Sequence, residues 1–284
     1  MVGIDAKTKL CGLLGNPVEH SLSPAIHNGA FQKLGLNFVY LAFRVEDLGS
    51  AMAGIRALGN LRGFSVTIPH KVAVIPYLDE VETTAKHIGS VNTIVIENGR
   101  LIGYNTDASG ALRAFTNAGV PLTGRHVLML GSGGAARAIA FALGTAHVGR
   151  LTILGIDEGE RDGLIRDLQA KTELTITGGA LDEKTLRQVV PHAQVLLHCT
   201  PVGMSPRSEQ SCVPPTVFSP GLTVMDIVYN PLETKLLKEA KAAGCRVIRG
   251  LEMFLNQAVA QFELWTGQTA PADVMRSVLE THFS

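Results

Sequence analysis

The chain has 284 residues, 46% hydrophobic and 18% charged, enough apolar material for a large core and a length that fits two domains better than one. Its 25 basic residues balance 25 acidic ones without a Lys/Arg cluster, so neither nucleic acid nor an anionic membrane surface has electrostatic support, and a small-molecule partner is expected. Cys11, Cys199, Cys212 and Cys245 form no C-x-x-C pair and have no His at ligand spacing, which argues against a metal site and a disulfide framework and for reduced cysteines in the cytoplasm. No apolar run approaches 18 residues, so no membrane span is expected, and the first ten residues lack a signal-peptide core.

Residues 10–14 read as a buried strand that stops at Gly15-Asn16-Pro17, and Pro24 opens a helix to about Leu34. In the intervening EHSLSP, Ser21 and Ser23 flank Leu22 in an extended segment, so both hydroxyls can point one way; the alternative is turn and N-cap chemistry ahead of Pro24. A second strand over 38–43 and a helix over 47–58 follow. The third strand enters at Gly63 and runs GFSVTIPHK, ending at Thr67. Pro69 fits a first helical turn, which sets Lys71 near a helix N-terminus, where the dipole favours anions. A cation placed against that dipole hints at function, against the alternative of a solvated lysine.

Asn98-Gly99 between alternating apolar runs predicts a two-residue hairpin pairing 91–96 with 100–104. Asn92 and Asn105-Thr106-Asp107 then share its open end, with Asp107 just ahead of a helix over 110–118. Residues 119–122, GVPL, read as a hinge. Beyond it, HVLMLGSGGAARAIAFAL over 126–143 is a strand, a glycine turn and a helix start, with Gly131 for the turn, Gly133 for close phosphate approach and Ala136 for helix packing. A diphosphate would rest on N–H groups around Ser132, Gly133, Gly134 and Ala135. Strands over 151–154, 174–176, 195–198, 223–227 and 246–248 alternate with helices, predicting a doubly wound, mostly parallel sheet. TPVGM from Thr200 and DIVYNP from Asp226 fall on its carboxyl edge, where ligands bind. Helices over 251–265 and 271–282 close the chain.

HSLSPAIHN, GFSVTIPHK, GSVNT, GYNTDASG, GSGGAARA, TPVGM, DIVYNPLET and GLEMFLNQAVAQFELWTG occur in this order over nearly the whole chain, and the set resembles the shikimate dehydrogenase family. The resemblance implies an α/β substrate domain over 1–108 completed by 251–284, a Rossmann-type dinucleotide domain over 109–250, and an active site in the cleft separating them. It implies a catalytic pair in Lys71 and Asp107. Ser21 and Ser23 would hold the substrate carboxylate near Tyr229, and Thr67, Asn92, Asp107 and Gln257 the ring hydroxyls and carbonyl. Thr200 and Gly250 join the glycine turn among the expected cofactor contacts.

Two departures from the family pattern stand out. NADP-using relatives carry Asn-Arg-Thr after the second strand of the nucleotide domain; here Leu154-Gly155-Ile156-Asp157-Glu158 has no arginine and two acids. A carboxylate accepts from a ribose 2′-hydroxyl and repels a 2′-phosphate, so NAD is expected over NADP with Asp157 as the contact, unless Asp157 only caps the following helix. Arg161 is the cation that could still swing toward a phosphate. Ser65 stands where many relatives have asparagine, which keeps a quinate or dual-specificity dehydrogenase open beside the shikimate reading. A non-catalytic dinucleotide or metabolite sensor is the alternative of another class. Monomer and homodimer are both compatible with the sequence.

Overall fold

A computed structural model describes residues 3–282 of the chain. The chain divides into two compact units: residues 1–106 with 257–284, and residues 107–256.

The first unit is built on β1 (Lys9–Gly15), α1 (Ser23–Lys33), β2 (Phe38–Arg44), α2 (Leu48–Ala57), β3 (Leu61–Val66), a four-residue α3 (His70–Ala73), β4 (Glu80–Val81), α4 (Thr83–Ile88), β5 (Thr93–Glu97) and β6 (Arg100–Tyr104). Its sheet runs β2-β1-β3-β5-β6-β4, with β1 parallel to both neighbours and β5 antiparallel to β3 and β6. Asn98 and Gly99 have φ of 51° and 77°, the backbone a tight hairpin with right-twisted strands requires, and they set Glu97 opposite Arg100. Asp47 caps α2 by accepting from Ser50 N at 3.1 Å. Leu22, not Ser23, is the N-cap residue of α1, and it makes no side-chain cap bond. A buried aromatic cluster of His27, Phe31, Tyr40, Phe262 and Trp265 fills the space between α1, the sheet and the terminal helices.

The second unit carries α5 (Thr106–Asn117), β7 (His126–Leu130), α6 (Gly134–Thr145), β8 (Arg150–Gly155), α7 (Glu158–Lys171), β9 (Ile176–Ala180), α8 (Glu183–Val189), β10 (Val195–His198), β11 (Thr223–Asp226), α9 (Lys235–Ala242), β12 (Arg246–Ile248) and the first part of α10 (Gly250–Thr266); α11 (Ala272–His282) returns to the first unit, where it packs on α1. Its sheet is parallel throughout, in the order β12-β11-β10-β7-β8-β9. The strand order reverses between β7 and β10, so their carboxyl ends flank the crevice where such sheets bind ligands.

Two elements differ from the sequence reading. β9 begins at Ile176, two residues later than expected, because ITGGA on a sheet edge carries no apolar alternation and is held by its ladder to β8. α5 begins at Thr106, four residues early, because Asn92 Oδ1 accepts from Thr106 N at 2.7 Å. That cap reaches the helix from 14 residues away in sequence, so Asp107 lies inside the first turn instead of ahead of it. Among the described residues no helix is long and apolar enough to cross a membrane, and no group of three or more His, Cys, Asp or Glu could hold a metal ion.

Candidate active site

In the first unit, backbone hydrogen bonds gather three of the expected residues where β3 ends and β5 begins. Thr67 N donates to Leu14 O at 2.9 Å, Val66 N to Asn92 O at 2.7 Å, and Val91 N to Lys71 O at 2.8 Å. Thr67, Lys71 and Asn92 are thereby neighbours, although 25 positions separate the first from the last. The buried Asn92 side chain is held by Thr93 Oγ1, which donates to Oδ1 at 2.8 Å, and by Thr106 Oγ1, which receives Nδ2 at 3.0 Å. Asn105 Nδ2 donates to Ser90 O at 2.9 Å and pins the other side of the hairpin mouth. Ser21 Oγ accepts from Ser23 N at 3.2 Å, so it makes the turn bond that a bland reading assigns to it while Ser23 is buried at the start of α1. Gln257 is buried on α10 and Asp107 in the first turn of α5.

Gln261 lies in the helix expected over 251–265, and the structure gives it a supporting place. Its Oε1 accepts from Ser65 Oγ at 2.9 Å, and its Nε2 donates to Thr93 Oγ1 at 3.0 Å and Asn92 O at 3.3 Å. Tyr40 donates its hydroxyl to Ser65 at 2.7 Å, so Ser65 is one link in a buried chain behind Asn92. The chain joins α10 to β2, β3 and β5, and the departure at Ser65 was its one sequence signal. Beside it, burial pushes the pKa of His27 down to about 3, against a weaker opposing effect of the Gln261 side chain.

In the second unit, Gly131 has φ of +105°, and a Cβ there would sit 2.8 Å from Cys199 O and 3.1 Å from Thr200 Cγ2. Only glycine lets the turn after β7 approach the segment after β10 this closely. Gly133 is the N-cap residue of α6 and, having no side chain, makes no cap bond to the first N–H groups of the helix. Ala136 is fully buried, which brings α6 close against the sheet. A glycine turn, an uncapped helix start and a parallel switch point together fit the diphosphate of a dinucleotide.

Around this turn, Ser132 donates to Glu160 Oε2 at 2.8 Å, and Asp157 caps α7 by accepting from Glu160 N at 2.8 Å. Arg161 is held by Asp162 at 2.7 Å and lies 3.5 Å from Glu158. Ile156, in the segment after β8 that carries no arginine before Arg161, is 90% exposed. Tyr229 stacks on Phe254 with ring centroids 4.5 Å apart, and burial raises its pKa. Gly250 starts α10 where a Cβ would meet Val228 O at 2.4 Å, so the helix start abuts the segment after β11.

Fold and site together define a two-unit α/β protein with a Rossmann-type dinucleotide sheet. The sequence matches the Shikimate dehydrogenase substrate binding domain over residues 13–94 and the Shikimate 5'-dehydrogenase C-terminal domain over residues 250–280. It is 49% identical to the shikimate dehydrogenase (NADP(+)) of Moorella thermoacetica over 281 residues, covering 98% of this chain and 95% of that one. The structure is similar to a shikimate 5-dehydrogenase from Listeria monocytogenes in complex with shikimate and NAD, with a TM-score of 0.91, 36% identity and coverage of 97% and 98%. A Thermus thermophilus shikimate 5-dehydrogenase in complex with NADP(H) and shikimate gives a TM-score of 0.86 at 35% identity, covering 96% and 99%. The chain belongs to the shikimate dehydrogenase family.

Proposed function

We propose that the chain interconverts 3-dehydroshikimate and shikimate using a nicotinamide dinucleotide. The observation that supports this most is the set of backbone bonds that makes Thr67, Lys71 and Asn92 neighbours along the chain's main-chain ladder, so that a lysine, a threonine and an asparagine issue from one place. The dinucleotide supplies or removes the hydride at the ring carbon. Lys71 donates a hydrogen bond to the carbonyl oxygen, stabilises the alkoxide as it develops and passes it a proton. Asp107 accepts from the neighbouring ring hydroxyl and orients the ammonium. Thr67, Asn92 and Gln257 hydrogen-bond the remaining ring oxygens, and Ser21, Ser23 and Tyr229 take the carboxylate. A site built from hydroxyls and amides rejects rings that lack hydroxyls, because its buried polar groups would be left unpaired. In this reading residues 1–108 with 251–284 bind the substrate and residues 109–250 the cofactor.

The finer assignment is NAD over NADP. Asp157, Glu158 and Glu160 cluster at the end of β8, Glu160 is bonded to Ser132 of the glycine turn, and Arg161 is engaged by acids. The exposed Ile156 can cover an adenine ring but cannot neutralise a phosphate. Asp157 spends one oxygen on its cap, which leaves Glu160 beside Ser132 as a second carboxylate for the 2′-hydroxyl. Initial rates on shikimate and on quinate, each with NAD and with NADP, test both levels. Turnover of shikimate with a higher kcat/KM for NAD is expected. A clear NADP preference refutes the role given to the acids, turnover of quinate alone moves the chain to the quinate dehydrogenases, and silence with all four pairs makes it a non-catalytic binder.

A further inference from the structure

His198 and Asp226 are the last residues of β10 and β11, paired across the parallel register, and the other neighbour of His198 is Leu130, directly before Gly131. The two side chains are 1% and 0% exposed. His198 Nδ1 lies 2.8 Å from Asp226 Oδ1, and Nε2 lies 2.5 Å from Thr200 Oγ1. Asp226 also accepts from Thr234 Oγ1 at 2.6 Å and from Val228 N at 3.0 Å, and Thr200 Oγ1 accepts from Val202 N at 3.2 Å. One buried charged pair therefore ties the segment after β10, which touches Gly131, to the segment after β11, which touches Gly250. None of the chemistry assigned above uses it.

The hydroxyl of Thr200 makes the pair more than a strut. Val202 N–H occupies one of its two acceptor positions. When His198 is an imidazolium, Nε2–H donates into the second, and the hydroxyl hydrogen must turn outward. When Nε2 is bare, that hydrogen is drawn inward to the ring. Asp226 keeps a proton on Nδ1 in both cases. We propose that His198 is a positioning residue of the cofactor site, pairing with Asp226 to fix both segments and donating to Thr200 so that the Thr200 hydroxyl is presented to the nicotinamide end of a dinucleotide. This rests on the dinucleotide reading above.

The titratable groups facing the ring are Asp226 from β11 and Cys212 from the segment after β10; its chain neighbour Cys199 is a thiol that burial pushes up. Burial opposes the charge on His198, yet Asp226 and Cys212 outweigh it and raise its pKa to about 9. The imidazolium is thus the neutral-pH form, lost in alkali.

The test is a fluorescence titration with NADH and a calorimetric one with ADP-ribose, which lacks the nicotinamide, on the wild type and His198→Gln from about pH 7 to 10. At pH 7 the variant is expected to lose roughly tenfold in NADH affinity, the worth of one hydrogen bond, and less than about twofold for ADP-ribose. Wild-type NADH affinity should fall as pH rises through about 9, and the variant's should stay flat. Equal losses for both ligands, or none, overturn the proposal. Should the variant not fold, the wild-type series decides alone, since pH-independent NADH affinity also overturns it. A wild type that binds neither ligand, and not NADPH either, rejects the dinucleotide reading itself.

Discussion

Lys71 sits in the four-residue α3, a single turn too short to set a dipole against a cation as the sequence led one to expect, and its carbonyl is bonded to Val91 beside Asn92. Lys71→Ala is expected to lower kcat by about 10²–10⁴-fold with a far smaller change in dinucleotide affinity, read by steady-state rates and NADH titration. A loss within about tenfold would show that another group handles the proton. At this scale the sequence carried half of the information. A lysine after the third strand and an asparagine at a hairpin mouth were visible, but their adjacency depends on the Val91 to Lys71 bond, which no local pattern encodes. Asp157 shows the opposite case, since its cap to Glu160 N is a local bond that spacing alone foresaw as one of two outcomes.

The glycine turn is the element on which the second unit depends. Gly131 combines a φ of +105° with backbone 2.8 Å from where a Cβ would lie, and neither can relax without moving Cys199 and Thr200. Gly131→Ala is therefore expected to cost at least about 2 kcal/mol, the left-handed backbone penalty and the clash adding, and to abolish measurable NADH binding. Urea unfolding and the NADH titration check the two halves separately. Unchanged affinity would mean that the turn is not where the dinucleotide rests. The turn was legible because its demands are local: a strand, a glycine and a helix within 18 residues. The start of α5 was not, because its cap comes from Asn92 on another element, and the start of β9 was not, because an edge strand reading ITGGA has no alternating face.

Across the whole chain, two buried histidines set opposite pH limits. His27 has a folded pKa of about 3 against an ordinary 6.5, so the stability it contributes is present above about pH 6.5 and is lost as pH falls toward 3. His198 is raised to about 9, so its contribution is present below about pH 6.5 and is lost as pH rises through 9. Each limb has a slope of up to about 1.4 kcal/mol per pH unit, which puts maximum stability near pH 6.5. Urea unfolding across pH should show this maximum. His27→Phe should flatten the acid limb alone and His198→Gln the alkaline limb alone; an acid limb that persists in His27→Phe would assign it to the carboxylates. The sequence by itself determined the two α/β sheets, the hairpin and the glycine turn, because periodicity, turn chemistry and caps act within a few residues. Only the tertiary structure decided that Gln261, Ser65 and Tyr40 stand behind Asn92, and that His198 meets Asp226 and Thr200. Buried polar groups must find partners wherever the packed chain brings them, and that need leaves no trace in sequence spacing.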